Sequence, residues 1–146
     1  KKFLQKEEYN VLQATSGQDG LVLAAKDLPD LITLDVMMPE MDGWEVLTKL
    51  QNNEKTKNIP VIMLTMANEP DIGYSLGATD YLTKPVNWNN LSKILQKHEI
   101  ETGSQSILIV EDDETTRDML KKTLETNPYS YEASQINEPK TTSCNP

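Results

Sequence analysis

Four times along this chain, a stretch suited to a β-strand stops at a polar side chain. Leu31–Leu34 stops at Asp35, Ile59–Leu64 at Thr65, Thr79–Thr83 at Lys84, and Ile107–Val110 at Glu111-Asp112. The runs before Asp35, Thr65 and Glu111 lack the polar/apolar alternation of a half-exposed strand, so they read as strands buried on both faces. Helical patterns separate the stretches, which indicates a doubly wound α/β fold: a parallel sheet covered on both sides, with right-handed crossovers. Sheets of this kind gather their chemistry at the carboxyl ends of the strands, so the four polar groups are expected along one edge. Asp35 is the residue to explain, since its apolar run ends there, breaks at Pro39 and turns through Asp42-Gly43 into a new helix.

Around these four stretches the chain reads in order. Lys1–Glu8 is a short charged helical fragment, and Tyr9–Thr15 a strand. Ser16-Gly-Gln-Asp19 resembles a capping box and opens a helix through about Asp27, with Leu21, Val22, Ala24, Ala25 and Leu28 expected inward. Trp44, Leu47 and Leu50 form a helical stripe, and residues 51–58 a polar loop. Met66–Leu76 is expected to hold a short helix with Pro70 in its first turn. Asn87 should cap a helix with Leu91, Ile94 and Leu95 inward, and Trp88 reads as a packing residue. The lone His98 is expected at the surface or as a partner of that helix's C-terminal dipole. Residues 101–105 read as a flexible linker, Thr115 or Thr116 as the start of a further helix carrying Leu120 and Leu124, and 127–146 as a polar, partly disordered tail.

Composition narrows the function. A net charge of -9 argues against a nucleic-acid surface and permits basic partners or a cation site. No stretch approaches a membrane span. A single Cys144 in a polar tail excludes a disulfide framework, and a cytoplasmic setting is expected. The chain starts at Lys1-Lys2 without a Met and reads as a piece of a longer protein.

There is also an internal echo. Lys121-Lys-Thr-Leu repeats Lys1-Lys-Phe-Leu, and Tyr129 falls where Tyr9 does at the same offset. The C-terminal part looks like the beginning of a second copy of a unit whose first copy lacks its beginning.

The residue types fit phosphoryl transfer to a carboxylate. An Asp nucleophile attacking phosphorus needs a divalent cation to screen its charge and that of the phosphoryl oxygens. Mg2+ takes few protein carboxylates and keeps several waters, which suits Asp35, Asp112 and a more distant Glu111. Lys84 offers a point charge to the phosphoryl oxygens, and Thr65 a hydroxyl donor.

At Ile107–Asp112, Leu31–Gly43, Val61–Thr65 and Tyr81-Leu-Thr-Lys84-Pro85 the chain resembles the response-regulator receiver domain, over residues 9–98 and 106–126. The resemblance implies a flavodoxin-like five-stranded sheet of order 2-1-3-4-5. It also implies that Asp35 accepts a phosphoryl group from a phosphohistidine. Asp112, Asp35 and the backbone carbonyl of Met37 would hold Mg2+, with Glu111 acting through water. Thr65 and Lys84 would bind the phosphoryl group, Tyr81 would switch with Thr65 to reshape the 66–98 face, and Lys84–Pro85 would be cis. The implied partner is a histidine kinase or His-phosphotransfer domain, in the manner of the receivers, often tandem, of hybrid sensor kinases.

Taken singly, these residues have plainer readings. Asp35 alone could be a turn residue, Lys84 a solvated lysine, Glu111–Asp113 a solvated cluster or helix N-terminal charge, and Tyr81 core packing. Two other functions compete with the phosphoacceptor. A haloacid-dehalogenase-type phosphatase would use similar groups, but it wants an acid two residues after the nucleophile, where Met37 stands. A receiver-like interaction module that takes no phosphate is the other, favoured only by the strand permutation and by Met66, which stands where receivers usually have a small residue and could narrow access to Asp35. The 65–77 interval is also shorter than in most receivers.

The strand stretch the sheet needs at its centre comes last in the chain. Residues 1–100 read as a receiver lacking its first strand, and 106–126 as that strand and its helix. The 101–105 linker could return it to its own sheet, as a circular permutation, or deliver it to a neighbour in a swapped homodimer. In either case it competes with Lys1–Glu8 for the first-helix position. The remaining reading, a tandem truncated at both ends in which 106–134 merely starts a second receiver, is less favoured because an unfilled inner strand would not give a stable core.

Overall fold

The computed structural model describes residues 9–66, 77–98 and 105–125. The expectations for Lys1–Glu8, for the short helix beyond Met66 with Pro70 in its first turn, and for the polar tail lie outside these residues. The strands are β1 (Asn10–Ala14), β2 (Leu31–Asp35), β3 (Val61–Thr65), β4 (Asp80–Thr83) and β5 (Ser106–Val110). The helices are α1 (Gly17–Asp27), α2 (Gly43–Gln51), α3 (Trp88–Lys97) and α4 (Glu114–Glu125).

All pairings are parallel, and the sheet order is β1-β5-β2-β3-β4. The last strand among the described residues is therefore an inner one, second in the sheet, between β1 and β2. It pairs with β1 from Asn10↔Ser106 to Ala14↔Val110, and with β2 from Leu31↔Ile107 to Leu34↔Val110. With β5 in the place of a first strand, the order is the flavodoxin-like 2-1-3-4-5.

Period-2 alternation divides the strand side chains between two cores. Ala14, Ile32, Leu34, Val61, Met63, Leu108 and Val110 meet Ala24 of α1 and Val46, Leu47 and Leu50 of α2. Leu31, Ile62, Leu64, Leu82, Ile107 and Ile109 meet Leu91, Ile94 and Leu95 of α3 and Leu120 and Leu124 of α4. All of β2 and β3 is buried, as continuous apolar runs require.

Three details correct the sequence reading. Val22 and Leu28 are exposed rather than inward. The buried positions of α1 are Gly17, Gly20 and Ala24, and Val22 lies two residues from both Gly20 and Ala24, about 200° round the helix. Leu28 ends α1 in the left-handed region at φ 47, which turns its side chain off the stripe. Lastly, α4 begins at Glu114, before either threonine, because Asp113 caps it by accepting from Thr116 N at 2.9 Å and Thr116 Oγ1 at 2.6 Å. The Ser16 and Asn87 caps stand as expected, accepting from Asp19 N and Asn90 N.

Two glycines permit close approaches. A Cβ at Gly20 would press into the methyls of Val110, so α1 rides directly on β5. A Cβ at Gly43 would collide with the backbone carbonyl oxygen of Asp35. Gly43 N instead donates to Val36 O at 2.9 Å, closing the loop that comes after β2.

Candidate functional site

The ladder delivers four strand ends to one edge. Val36 N donates to Leu64 O at 3.1 Å, Lys84 N to Thr65 O at 2.8 Å, and Glu111 N to Ala14 O at 3.0 Å. Asp35, Thr65, Lys84 and Glu111 thus leave adjacent strands at the same level, as their places at the strand ends required.

Asp35 is 2% exposed and Glu111 fully buried. Lys84 Nζ lies 2.9 Å from Asp35 Oδ1. The same ammonium lies 3.2 Å from Glu111 Oε1 and donates to Oε2 at 3.3 Å. One lysine therefore bridges two buried carboxylates. Asp112 adds a third, exposed one, and an oxygen of each lies within 4.8 Å of the others. Met37 N donates weakly to Asp35 Oδ1 at 3.4 Å, and Asp113 N to Glu111 Oε2 at 3.1 Å.

The electrostatics come from one cation among three anions. Burial pushes the Glu111 carboxyl up to about 7, the charge of Asp35 adds to this, and Asp113 N–H and Lys84 oppose it. Burial alone would lower the Lys84 ammonium, but the hydrogen bond and charge of Asp35, joined by Glu111, raise it above its ordinary value. Asp113 is held below the usual carboxylate range chiefly by its hydrogen bonds from Thr116.

Glu111 Oε1 is buried and accepts no hydrogen bond among the described residues. A buried carboxylate oxygen whose ion-pair partner is a lysine shared with Asp35, beside two further carboxylates, fits a hard divalent cation such as Mg2+, which prefers oxygen donors. Asp35, Glu111 and Asp112 are the residues present to hold it.

Thr65 is buried at the end of β3, in register with Thr83. Tyr81 is half-buried and packs on the core under α1 and α2. Met66 and Met37 are both 68% exposed, so Met66 points into solvent beside the site. The Lys84–Pro85 bond is cis, as the resemblance implied. His98 is half-buried at the C-cap of α3, with Nε2 at 3.9 Å from Asp80 Oδ2.

Two positioning residues escaped the sequence reading. Arg117 Nη1 donates to the backbone oxygens of Glu111 at 2.9 Å and Asp112 at 3.4 Å, holding the acidic loop against α4. Asp30 Oδ2 accepts from Ser106 N at 2.8 Å, and Asp30 N donates to Ser106 O at 2.9 Å, clamping the start of β5. An Arg three residues into a helix carries no such signal, and Pro29-Asp30 reads as a helix breaker only.

The response regulator receiver domain model matches residues 1–96 of this chain. This chain belongs to the receiver family. Protein PilH of Pseudomonas aeruginosa is 37% identical over 95 residues, 63% of this chain and 78% of PilH. Response regulator PleD of Caulobacter vibrioides is 45% identical over 87 residues, 58% of this chain but only 19% of PleD. The receiver domain of sensor histidine kinase PA1611 from Pseudomonas aeruginosa PAO1, whose structure has magnesium coordinated in the active-site cleft, superposes with a TM-score of 0.52. It is 26% identical, with 57% of this chain and 71% of that one covered.

Membership of the receiver family supports a phosphoacceptor role in two-component signalling, and receiver domains bind Mg2+ in the active site. The matched residues end at 96, so the inner strand β5 and both Glu111 and Asp112 lie beyond them. Among the described residues no helix is long and apolar enough to cross a membrane.

Proposed function

We propose that this receiver accepts a phosphoryl group on Asp35 from a phosphohistidine of a histidine kinase or His-phosphotransfer domain. The observation that carries this reading is the Lys84 ammonium held between Asp35 and Glu111 at the C-terminal edge of the sheet.

In this reading an Asp35 oxygen attacks phosphorus, the P–N bond to the donor imidazole breaks, and the imidazole leaves with a proton. Lys84 moves from neutralising Asp35 to meeting the phosphoryl oxygens, and the buried Thr65 hydroxyl donates to them. Asp35, Asp112, the Met37 carbonyl and, through water, Glu111 would hold Mg2+, which would supply positive charge where lysine alone cannot. Tyr81 and Thr65 then couple phosphorylation to the 66–98 face. Residues 106–126 serve as the first strand and helix of the receiver unit, and the setting is cytoplasmic. The likeness to the receiver of a sensor histidine kinase supports a hybrid-kinase context.

The test is transfer from a phosphorylated His-phosphotransfer domain, with Asp35→Asn beside the wild type. Movement of the phosphoryl group from the donor to the wild type alone is expected. Equal labelling of Asp35→Asn would remove Asp35 from the mechanism.

A further inference from the structure

The acidic pair reaches the site from a stretch that has left the sheet. The registered pairs of β5 end at Val110, opposite Ala14 on one side and Leu34 on the other. Glu111 N makes one further bond, to Ala14 O at 3.0 Å, and α4 begins at Glu114. Successive side chains of an extended strand point to opposite faces, so a straight continuation of β5 would aim Glu111 and Asp112 apart. Instead an oxygen of each lies within 4.8 Å of the other and of Asp35. Something has to hold the backbone of 111–113 in that turn.

Three successive carbonyls of the turn accept from one residue. Arg117 Nη1 donates to Glu111 O at 2.9 Å and to Asp112 O at 3.4 Å, and Arg117 N donates to Asp113 O at 2.9 Å. Arg117 lies in the first turn of α4, which Asp113 caps through Thr116. The same guanidinium thus fastens the two residues whose side chains supply the acidic pair. It does so through their backbone oxygens. A guanidinium bonded to the carboxylates would compete with a cation for the same oxygens, and bonded to the carbonyls it does not. Groups that orient the ligands of a metal ion without touching it typically carry tenfold to a hundredfold of its affinity.

We propose that Arg117 is a positioning residue of this site. By holding the carbonyls of Glu111 and Asp112 it presents both carboxylates to one Mg2+ ion beside Asp35, and so sets the affinity for that ion. Removing a nearby cation would, by charge alone, tighten the binding of Mg2+. Loss of positioning weakens it. The sign of the change therefore separates the two effects.

Two arms test this, the second resting on the phosphoacceptor reading and the first independent of it. In the first, metal-free wild type, Arg117→Met, Arg117→Lys and Leu124→Val are titrated with Mg2+ by calorimetry, at a temperature where circular dichroism shows each folded. Leu124 is buried at the far end of α4, so Leu124→Val loosens the helix without touching the turn. Arg117→Met should raise the Kd about tenfold or more. Arg117→Lys, which keeps a donor and the charge, should fall between it and wild type, and Leu124→Val should bind as wild type does. An unchanged or lower Kd for Arg117→Met, an equal loss in Leu124→Val, or a wild type that binds no Mg2+ would overturn the proposal.

In the second arm the rate of labelling by acetyl phosphate is followed against Mg2+ concentration. Arg117→Met should need about tenfold more Mg2+ to reach half its maximal rate, and saturating Mg2+ should restore a rate near that of wild type. A slow rate that persists at saturating Mg2+, with an unchanged half-point, would contradict a role through the ion. If wild type takes no phosphoryl group while it binds Mg2+, the phosphoacceptor reading falls and the calorimetric arm alone decides the role of Arg117.

Discussion

Lys84 Nζ stands 2.9 Å from Asp35 Oδ1, an ion pair between side chains that are 14% and 2% exposed. The pair neutralises only part of the charge around it, because Glu111 shares the same ammonium and Asp112 lies alongside. This surplus of negative charge governs what the site does.

Replacing Lys84 by Met leaves Asp35 and Glu111 buried without a counter-charge. Breaking a buried pair from one side costs about 3 kcal/mol. Glu111, already raised to about 7, takes up a proton and recovers part of that. Phosphorylation by acetyl phosphate should slow by about 100-fold or more, the scale of losing one positioned charge-stabilising donor. Denaturant midpoints and time courses of intact mass check both.

The raised Glu111 makes stability depend on pH. Its unfolded value is the ordinary 4.5 and its folded value about 7, so the folded protein binds the extra proton in between. The metal-free protein should lose stability as pH rises from 4.5 to 7 and level off above, with the slope set by that proton difference. Glu111→Gln should flatten this part of the curve, and urea midpoints across the range measure it.

Mg2+ should stabilise the fold by binding the native cluster alone, raising the melting temperature at neutral pH in proportion to the logarithm of its concentration. Asp112→Asn should reduce that gain while leaving the metal-free protein nearly unchanged, because Asp112 is exposed. A thermal melt with and without chelator measures the difference.

Gly43→Ala tests the packing beneath the site. The added methyl meets the carbonyl oxygen of Asp35, so the loop after β2 has to move. A stability loss of about 2 kcal/mol is expected from this overpacking, together with slower phosphorylation because Asp35 shifts off Lys84. Gly20→Ala, which presses on Val110 instead, should cost stability without the kinetic defect.

Much of this arrangement was legible in the sequence because it rests on strand ends. A continuous apolar run has to be buried, and the residue after it on a parallel sheet has to emerge at one edge, so Asp35, Thr65 and Glu111 were bound to meet; Lys84 follows the mixed stretch Thr79–Thr83 and was placed by the alternation of strands and helices. The inner placement of Ile107–Val110 followed from the receiver resemblance, whose order 2-1-3-4-5 flanks the first strand on both sides, while the sequence left open which sheet the segment joins. The outward turn of Val22 was not legible, because apolar identity says less than helical phase once glycines make the close contacts. Nor were Arg117 and Asp30, whose roles depend on backbone oxygens and amides that no residue pattern displays.

The most direct measurement is intact mass after incubation with Mg2+ and acetyl phosphate, with Asp35→Asn and with chelator as controls. One phosphoryl mass on wild type, absent from both controls, is the expected result. It would mean that β5 is docked and that its acidic pair completes a phosphoacceptor site around Asp35. A phosphoryl mass on Asp35→Asn, or a wild type that stays unlabelled while its melting temperature rises with Mg2+, would contradict the account.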